Sequence, residues 1–366
     1  MEAGSPVTSR RRSSAAPEGR GGPLTYFGYC VKSGVSPMKA IVYESFGSPD
    51  ILQFREIEKP VPGDDEVLIK VRAASINPLD WKIMKGGPFL VRLVMGLGKA
   101  KIRRPGVDVA GEVEAVGKNV TQFKPGDSVF GTCIGAFAEY ATSKSATGMK
   151  SALVIKPDHV SFEQAASAPV AALTALQGLR DKGRIQPGQR VLVNGAAGGV
   201  GTFAVQIAKS FGATVTGVCS ARNVDMVRSI GADQVIDYTQ EDFTKSAQRY
   251  DIILECVGNH SFSECRRVLN PKGILVMVGA PSDASILGML VGLVGALALA
   301  CLVSQKMTFF IARVNQQDLT AVSELMASGK VMPVIDRRFR LSEAREAFRY
   351  MEEGHARGKV IITPEP

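Results

Sequence analysis

The stretch Val191-Leu192-Val193-Asn194-Gly195-Ala196-Ala197-Gly198-Gly199-Val200-Gly201-Thr202-Phe203-Ala204-Val205-Gln206-Ile207-Ala208-Lys209 constrains this chain more than any other. Three apolar residues read as a buried strand, a glycine-rich turn follows, and Val200, Phe203, Ala204 and Ile207 recur at helical spacing. That pattern is the opening of a dinucleotide-binding β-turn-α unit. One glycine permits a sharp exit from the strand, one lets the backbone approach a pyrophosphate, and one lets helix and strand pack closely. Phosphates then sit at the helix N-terminus, where free N–H groups and the positive dipole end favour an anion. A tight turn with no ligand needs the same glycines, so the flanking chain has to decide between the two.

One unit further on, Ala213 to Cys219 is a β-branched strand, as a β-α-β arrangement requires. At its end a cofactor lacking a 2′-phosphate wants an acid for the ribose hydroxyls. The chain instead reads Ser220-Ala221-Arg222-Asn223, with no acid between Gly201 and Asp225. A hydroxyl and a forked guanidinium suit a 2′-phosphate, which predicts NADPH rather than NADH.

Gly-Ala-Ala-Gly-Gly-Val-Gly (195–201), with Ile230-Gly231-Ala232-Asp233 and Val235-Ile236-Asp237-Tyr238, resembles the medium-chain dehydrogenase/reductase superfamily in its zinc-free quinone oxidoreductase, or zeta-crystallin-like, branch. The resemblance runs from Met38 to the C-terminus. It implies an α/β protein: a GroES-like β-barrel catalytic domain plus a Rossmann doubly wound parallel-sheet cofactor domain. It also implies that Tyr238 lies near the 2′-phosphate ribose. The lysine usual in the preceding loop is Asn223 here, leaving Arg222 as the charge.

Domain boundaries follow from the pattern and the resemblance together. Residues 1–37, rich in Gly, Ser, Pro and Arg, read as a disordered or mis-annotated extension, with an organelle transit peptide as the other reading. Residues 38–162 form the first part of the catalytic domain, 163–312 the nucleotide domain, and 313–366 the return to the catalytic domain. In the first part, short β-rich runs (Lys39–Tyr43, Glu66–Ala73, Gly111–Val116, Ser128–Thr132 and Ala136–Ala141) alternate with Gly/Pro punctuation, as in a barrel-like all-β unit. An Ala-rich helix from Gln164 to Leu179 makes the crossover. By the resemblance Thr174 lies near the nicotinamide; its hydroxyl can equally satisfy its own helix backbone.

The net charge of +9 raises the question of nucleic acid. Five basic residues against two acidic ones put +3 of it in residues 1–37, and the rest is dispersed without a basic stripe. A polyanionic cofactor accounts for that balance, and no nucleic-acid partner is expected. Cysteines 30, 133, 219, 256, 265 and 301 are scattered without a C-x-x-C pair, so a disulfide framework is excluded and a reducing cytoplasm is the expected compartment.

By the resemblance, Ser75-Ile76-Asn77-Pro78-Leu79-Asp80-Trp81-Lys82 and Pro105-Gly106-Val107-Asp108 stand where zinc-dependent relatives carry a cysteine and a histidine ligand. Asn77 and Val107 cannot replace them, and histidines 159, 260 and 355 have no ligand spacing, so no metal is expected. Without a Lewis acid, hydride transfer suits quinones and α,β-unsaturated carbonyls, whose developing charge delocalises. The residues expected to receive that charge are Asn77 and Lys82, oriented by Asp80 and Asp108. For the cofactor they are Thr174, Ala196, Ala197, Gly198, Gly199, Val200, Gly201, Ser220, Arg222, Asn223 and Tyr238. Val257-Gly258 and Gly279-Ala280, at strand ends, border it too, and Lys359 approaches its phosphates or nicotinamide or is simply solvated.

Residues 286–303 are uncharged and apolar apart from glycines, which by length alone resembles a membrane span. Lying between two expected sheet strands, they read instead as a cover for the cleft, a dimer seam or a membrane-surface contact, and they suggest a lipophilic substrate. A homodimer is what the resemblance implies. The alternatives are a zinc-free NADP-dependent alcohol dehydrogenase or carbonyl reductase, and a non-catalytic NADPH-binding membrane-associated protein.

Overall fold

The computed structural model describes Met1 and residues 36–86, 103–144, 151–278 and 304–365. Gly279, Ala280, the apolar segment 286–303 and nearly all of the N-terminal extension lie outside the described residues. Strands β1 (Pro37–Val42) and β2 (Gln53–Glu58) form an antiparallel pair. Next come β3 (Glu66–Ile76), helix α1 (Pro78–Met84), β4 (Asp108–Val116), β5 (Ser128–Thr132), β6 (Tyr140–Lys144) and β7 (Leu153–Ile155). β3 pairs antiparallel with β4 and β6, β4 with β5, and β5 with β7. The expected strand over Ala136–Ala141 is displaced to β6. Phe137 is buried, but its carbonyl accepts only Ile41 N–H (2.9 Å) and its own N–H goes to Pro105 O (3.3 Å), so the run makes an isolated bridge instead of a ladder.

The expected continuous helix from Gln164 to Leu179 is three pieces: α2 (Phe162–Ser167), α3 (Pro169–Gln177) and a π turn over Gly178–Lys182. Pro169 divides the first two, since its ring has no N–H to continue the ladder and is tolerated only in a first turn. Ser161 and Gln164 cap α2 reciprocally, at 3.2 and 2.9 Å.

β8 (Arg190–Asn194) and helix α4 (Gly199–Ser210) flank the glycine-rich turn. Val191, Leu192 and Val193 are all buried, as a strand covered on both faces must be, which is why they show no alternation. A methyl at Gly201 would stand 2.0 Å from Gly195 O, so only glycine lets α4 pack this closely on the turn. The chain continues through β9 (Thr214–Cys219), α5 (Val224–Ser229), β10 (Gln234–Asp237), β11 (Tyr250–Glu255), α6 (Phe262–Arg266), β12 (Leu269–Val278) and β13 (Lys306–Phe310). These strands form a parallel six-stranded sheet in the order β10-β9-β8-β11-β12-β13. The order reverses between β8 and β11, and ligands of such sheets bind outside the carboxyl ends of the strands at that point.

The end of the chain returns to the first sheet. After α7 (Gln316–Ala327) come β14 (Ile335–Arg340), α8 (Ala344–Glu352) and β15 (Lys359–Thr363). β14 runs parallel to β15, and β15 pairs antiparallel with β3 through Val360↔Ile76. Gly329 and Gly354, past the ends of α7 and α8, have φ of +69° and +72°, as left-handed stop residues do. Among the described residues no helix is long and apolar enough to cross a membrane.

Candidate active site

Three features meet outside the carboxyl ends of β8 and β11. The first is the glycine-rich turn. Gly195, at φ +81°, ends β8, and α4 opens at Gly198 with no side-chain cap. Thr202 N–H is the first of the helix to reach a backbone acceptor, Gly198 O at 3.0 Å. The first-turn N–H groups of Gly199, Val200 and Gly201 lie ahead of it at the positive end of a twelve-residue helix. Ala196 and Ala197 are buried beneath this turn.

The second lies past β9. Ser220 precedes a short 3-10 turn, Ala221–Asn223. Asn223 is buried; its Nδ2 donates to Ser220 Oγ at 3.1 Å, while its Oδ1 has no hydrogen-bond partner among the described residues. Arg222 is exposed and its guanidinium donates to His355 O at 3.1 Å. Tyr238 is 58% exposed at the end of β10. A buried acceptor without a donor among the described residues, an exposed guanidinium and an open aromatic face fit the adenosine end of a dinucleotide.

The third is a buried polar group where the two sheets touch. Gly358 N–H donates to Ala197 O (2.8 Å), so the start of β15 is bonded to the glycine-rich turn. The next residue, Lys359, is 3% exposed, and its ammonium donates to Asn77 Oδ1 at 2.6 Å and lies 3.4 Å from Asp108 Oδ2. Asp108 also accepts from Ser75 Oγ (2.9 Å), Asn77 Nδ2 (2.9 Å) and Val170 N–H (3.0 Å) in the first turn of α3. The last contact puts its negative charge at a helix N-terminus, where the dipole favours it. Asn77 therefore gives its carbonyl to the ammonium and its amide to the carboxylate.

Asp80 lies beneath this group and accepts from Asn77 N–H at 2.8 Å. Burial pushes its carboxyl up to about 7, against the opposing pull of that hydrogen bond. Burial likewise pushes Lys359 down, while Asp108 and Asp80 oppose the shift. Lys82 sits half-buried in the last turn of α1, and the ammonium that the described hydrogen bonds bring to Asn77 and Asp108 is that of Lys359. The reading of Lys359 as a solvated surface lysine is thus corrected: desolvated, it needs the carboxylate and amide it has found. Thr174 donates its hydroxyl to Val170 O (2.7 Å), within its own helix.

Two family models match separate parts of the chain. The model of the alcohol dehydrogenase GroES-like domain matches residues 63–157, and the model described as zinc-binding dehydrogenase matches residues 230–362. A chloroplastic quinone-oxidoreductase of Triphysaria versicolor is 33% identical over 339 residues, covering 89% of this chain and 98% of its own. The chain belongs to the quinone oxidoreductase family of medium-chain dehydrogenases/reductases. Within that family, the chloroplastic NADPH-dependent alkenal/one oxidoreductase of Arabidopsis thaliana is 33% identical over 344 residues, covering 90% of this chain and 80% of its own. The solved quinone oxidoreductase of Coxiella burnetii superposes with a TM-score of 0.77 at 31% identity, covering 90% of this chain and 99% of that one. The GroES-like and Rossmann parts are thus those of the family, and the protein is a nicotinamide-dependent oxidoreductase.

One residue of the site escapes a reading of local pattern: Glu255 closes β11 as a buried carboxylate, signalled only by being an acid at the end of an apolar run. Lys359 is a candidate from the sequence, but its pairing with Asn77 and Asp108 is not, because those partners lie 282 and 251 positions away in the chain.

Proposed function

We propose that this chain is an NADPH-dependent, zinc-independent oxidoreductase that transfers hydride to a quinone or an α,β-unsaturated carbonyl. The observation that carries the reading is the buried Asn77, Asp108 and Lys359 group beside an uncapped glycine-rich turn. Asn77 and Val107, at the positions that the resemblance gives to zinc ligands, would offer an amide and a hydrocarbon where zinc needs thiolate or imidazole, and among the described residues no group of His, Cys, Asp and Glu is arranged to hold a metal.

The N–H groups of Gly199, Val200 and Gly201 would hold the pyrophosphate, over the backbone of Ala196, Ala197 and Gly198. Lys359 would support the same turn with its aliphatic stem, whose Cδ stands 3.2 Å from where a methyl on Gly199 would be, while its ammonium is held at Asn77 and Asp108. Ser220, Arg222, Asn223 and Tyr238 would take the phosphorylated ribose. Val257 and Gly258 would border the nicotinamide, with Thr174 on the opposite wall. When bound, the cofactor supplies the hydride. Asn77 and Lys82 would face the substrate oxygen, with Asp80 and Asp108 fixing Asn77. A saturated carbonyl would concentrate charge on one oxygen with no Lewis acid to take it, whereas a quinone or enone spreads it. The relatives' printed substrates, quinone and alkenal/one, support the same class.

Two results test this. The full chain should oxidise NADPH faster than NADH with an ortho-quinone or a 2-alkenal, and turn over a saturated aldehyde poorly. Arg222→Ala should raise KM for NADPH by roughly tenfold or more, as loss of a charged hydrogen bond does, and leave NADH unchanged. Tight NADPH binding without turnover on any acceptor would overturn the reductase reading, and equal turnover of the saturated aldehyde would move it to a carbonyl reductase. Gly201→Ala is expected to weaken NADPH binding by at least about tenfold. The added methyl meets the Gly195 carbonyl at 2.0 Å and forces the turn open. Fluorescence titration with NADPH checks this, and an unchanged affinity would mean that the turn is not part of the site.

A further inference from the structure

We infer that Glu255 is a positioning residue for the cofactor: its buried carboxylate clasps the glycine-rich turn to the turn after β11 across the point where the strand order reverses. The inference rests on the reading that a nucleotide binds there.

Glu255 is the last residue of β11, and its side chain is fully buried. Asn194, the last residue of β8, donates Nδ2 to both of its oxygens, at 2.9 and 2.8 Å. Val257 N–H and Gly258 N–H donate to Oε1, at 2.8 and 2.9 Å. The amide of Asn194 reaches Asn259 Oδ1 as well (2.9 Å), and Cys256 N–H returns to Asn194 O (3.1 Å). The carboxylate holds Val257 and Gly258, Asn194 holds Cys256 and Asn259, and the bonds between these two side chains tie residues 256–259 to the residue that begins the glycine-rich turn. The two turns also touch, because a methyl on Gly195 would stand 2.8 Å from Val257 Cγ2. Gly258 has φ +84°, and a methyl there would meet nothing within 4 Å, so its face opens onto free space.

The charge is compensated by N–H donors. The imidazole described beside it is that of His260, whose Nδ1 lies 3.9 Å away, whose Nε2 lies 3.9 Å from Asp242, and whose ring packs on Phe243. A buried carboxylate is a costly way to stabilise a strand end, and well-packed apolar side chains often do as well. What it does here that a hydrocarbon cannot is to orient three N–H-bearing groups from two turns at once. Those turns are the ones between which the nicotinamide half of the cofactor would lie.

Glu255→Gln tests the clasp. The glutamine oxygen can still accept from Val257 and Gly258, but its amide then faces the Asn194 amide, donor against donor. NADPH affinity is expected to fall about tenfold or more, appearing in KM for NADPH more than in kcat. Amide exchange over residues 256–259 should quicken in the nucleotide-free protein. The double variant Asn194→Asp/Glu255→Gln exchanges donor for acceptor, keeps the net charge, meets Asn259 once that side chain turns its amide nitrogen toward the new carboxylate, and should recover affinity to within about threefold of wild type. Wild-type affinity in folded Glu255→Gln, or a double variant no better than the single one, would overturn the inference alone. Wild-type protein that binds neither NADPH nor NADH would overturn the site reading and the cofactor role of Glu255 with it.

Discussion

Asp108→Ala should destabilise the protein by about 3–5 kcal/mol, the usual cost of removing one partner from a buried ion pair. Asp108 is fully buried and accepts from Ser75, Asn77, Val170 and Lys359. Without it the Lys359 ammonium keeps only Asn77 Oδ1 and the more distant Ile76 O, and the Asn77 amide and Ser75 hydroxyl lose their acceptor. The uncompensated buried charge is the larger part of the loss, so removing it should return much of the stability. Asp108→Ala/Lys359→Met is therefore expected to be more stable than Asp108→Ala alone, although it carries one more substitution. Denaturant unfolding of the wild type, both single variants and the double variant measures the coupling directly. Additive losses would mean that the 3.4 Å approach of Lys359 to Asp108 does not stabilise the fold. Both single variants should also lose activity, because Asn77 is held from either side by these two residues.

The features that could be read from the chain are those whose constraints are short in sequence. Val191 to Val193, Gly195 and Gly201 lie within one strand, turn and helix, and both glycines answer a demand of that short stretch, Gly195 by its φ of +81° and Gly201 by the 2.0 Å approach of Gly195 O. Asn77 and Asp108 stood out because each replaces a metal ligand or its neighbour in a recognisable segment. Lys359 could be placed near the cofactor but not onto Asn77, since nothing local to Gly358-Lys359-Val360 encodes pairing with β3, which is set by the register Val360↔Ile76. The run expected as a strand at Ala136–Ala141 joins a ladder only from Tyr140 for a related reason: Phe137 is buried, but its backbone bonds go singly to Ile41 and Pro105. Pro169, by contrast, was a local signal for dividing the crossover helix.

Asp80 gives the second large effect, and its sign is opposite to that of an ordinary paired carboxylate. Its pKa lies at about 7 in the folded protein against 3.8 for the free side chain, because burial penalises the anion more than Asn77 N–H stabilises it. Below pH 4 the carboxyl is neutral in both states and costs nothing. As pH rises from there through 7, the unfolded chain ionises first, and the folded state falls behind by up to about 4 kcal/mol at roughly 1.4 kcal/mol per unit. Asp80→Asn mimics the neutral acid, with its Oδ1 still able to accept from Asn77 N–H, and removes that dependence. Any fixed cost of the substitution is the same at every pH, so the informative quantity is the change in the stability difference. Relative to wild type, Asp80→Asn should gain about 2–3 kcal/mol between pH 5 and pH 8, measured by denaturant unfolding at both values. A difference that stays constant across this window would place the Asp80 pKa near its ordinary value. The anion would then be accommodated through Asn77 and Lys359, and Asp80 would belong with Asp108 as a permanent charge of the site.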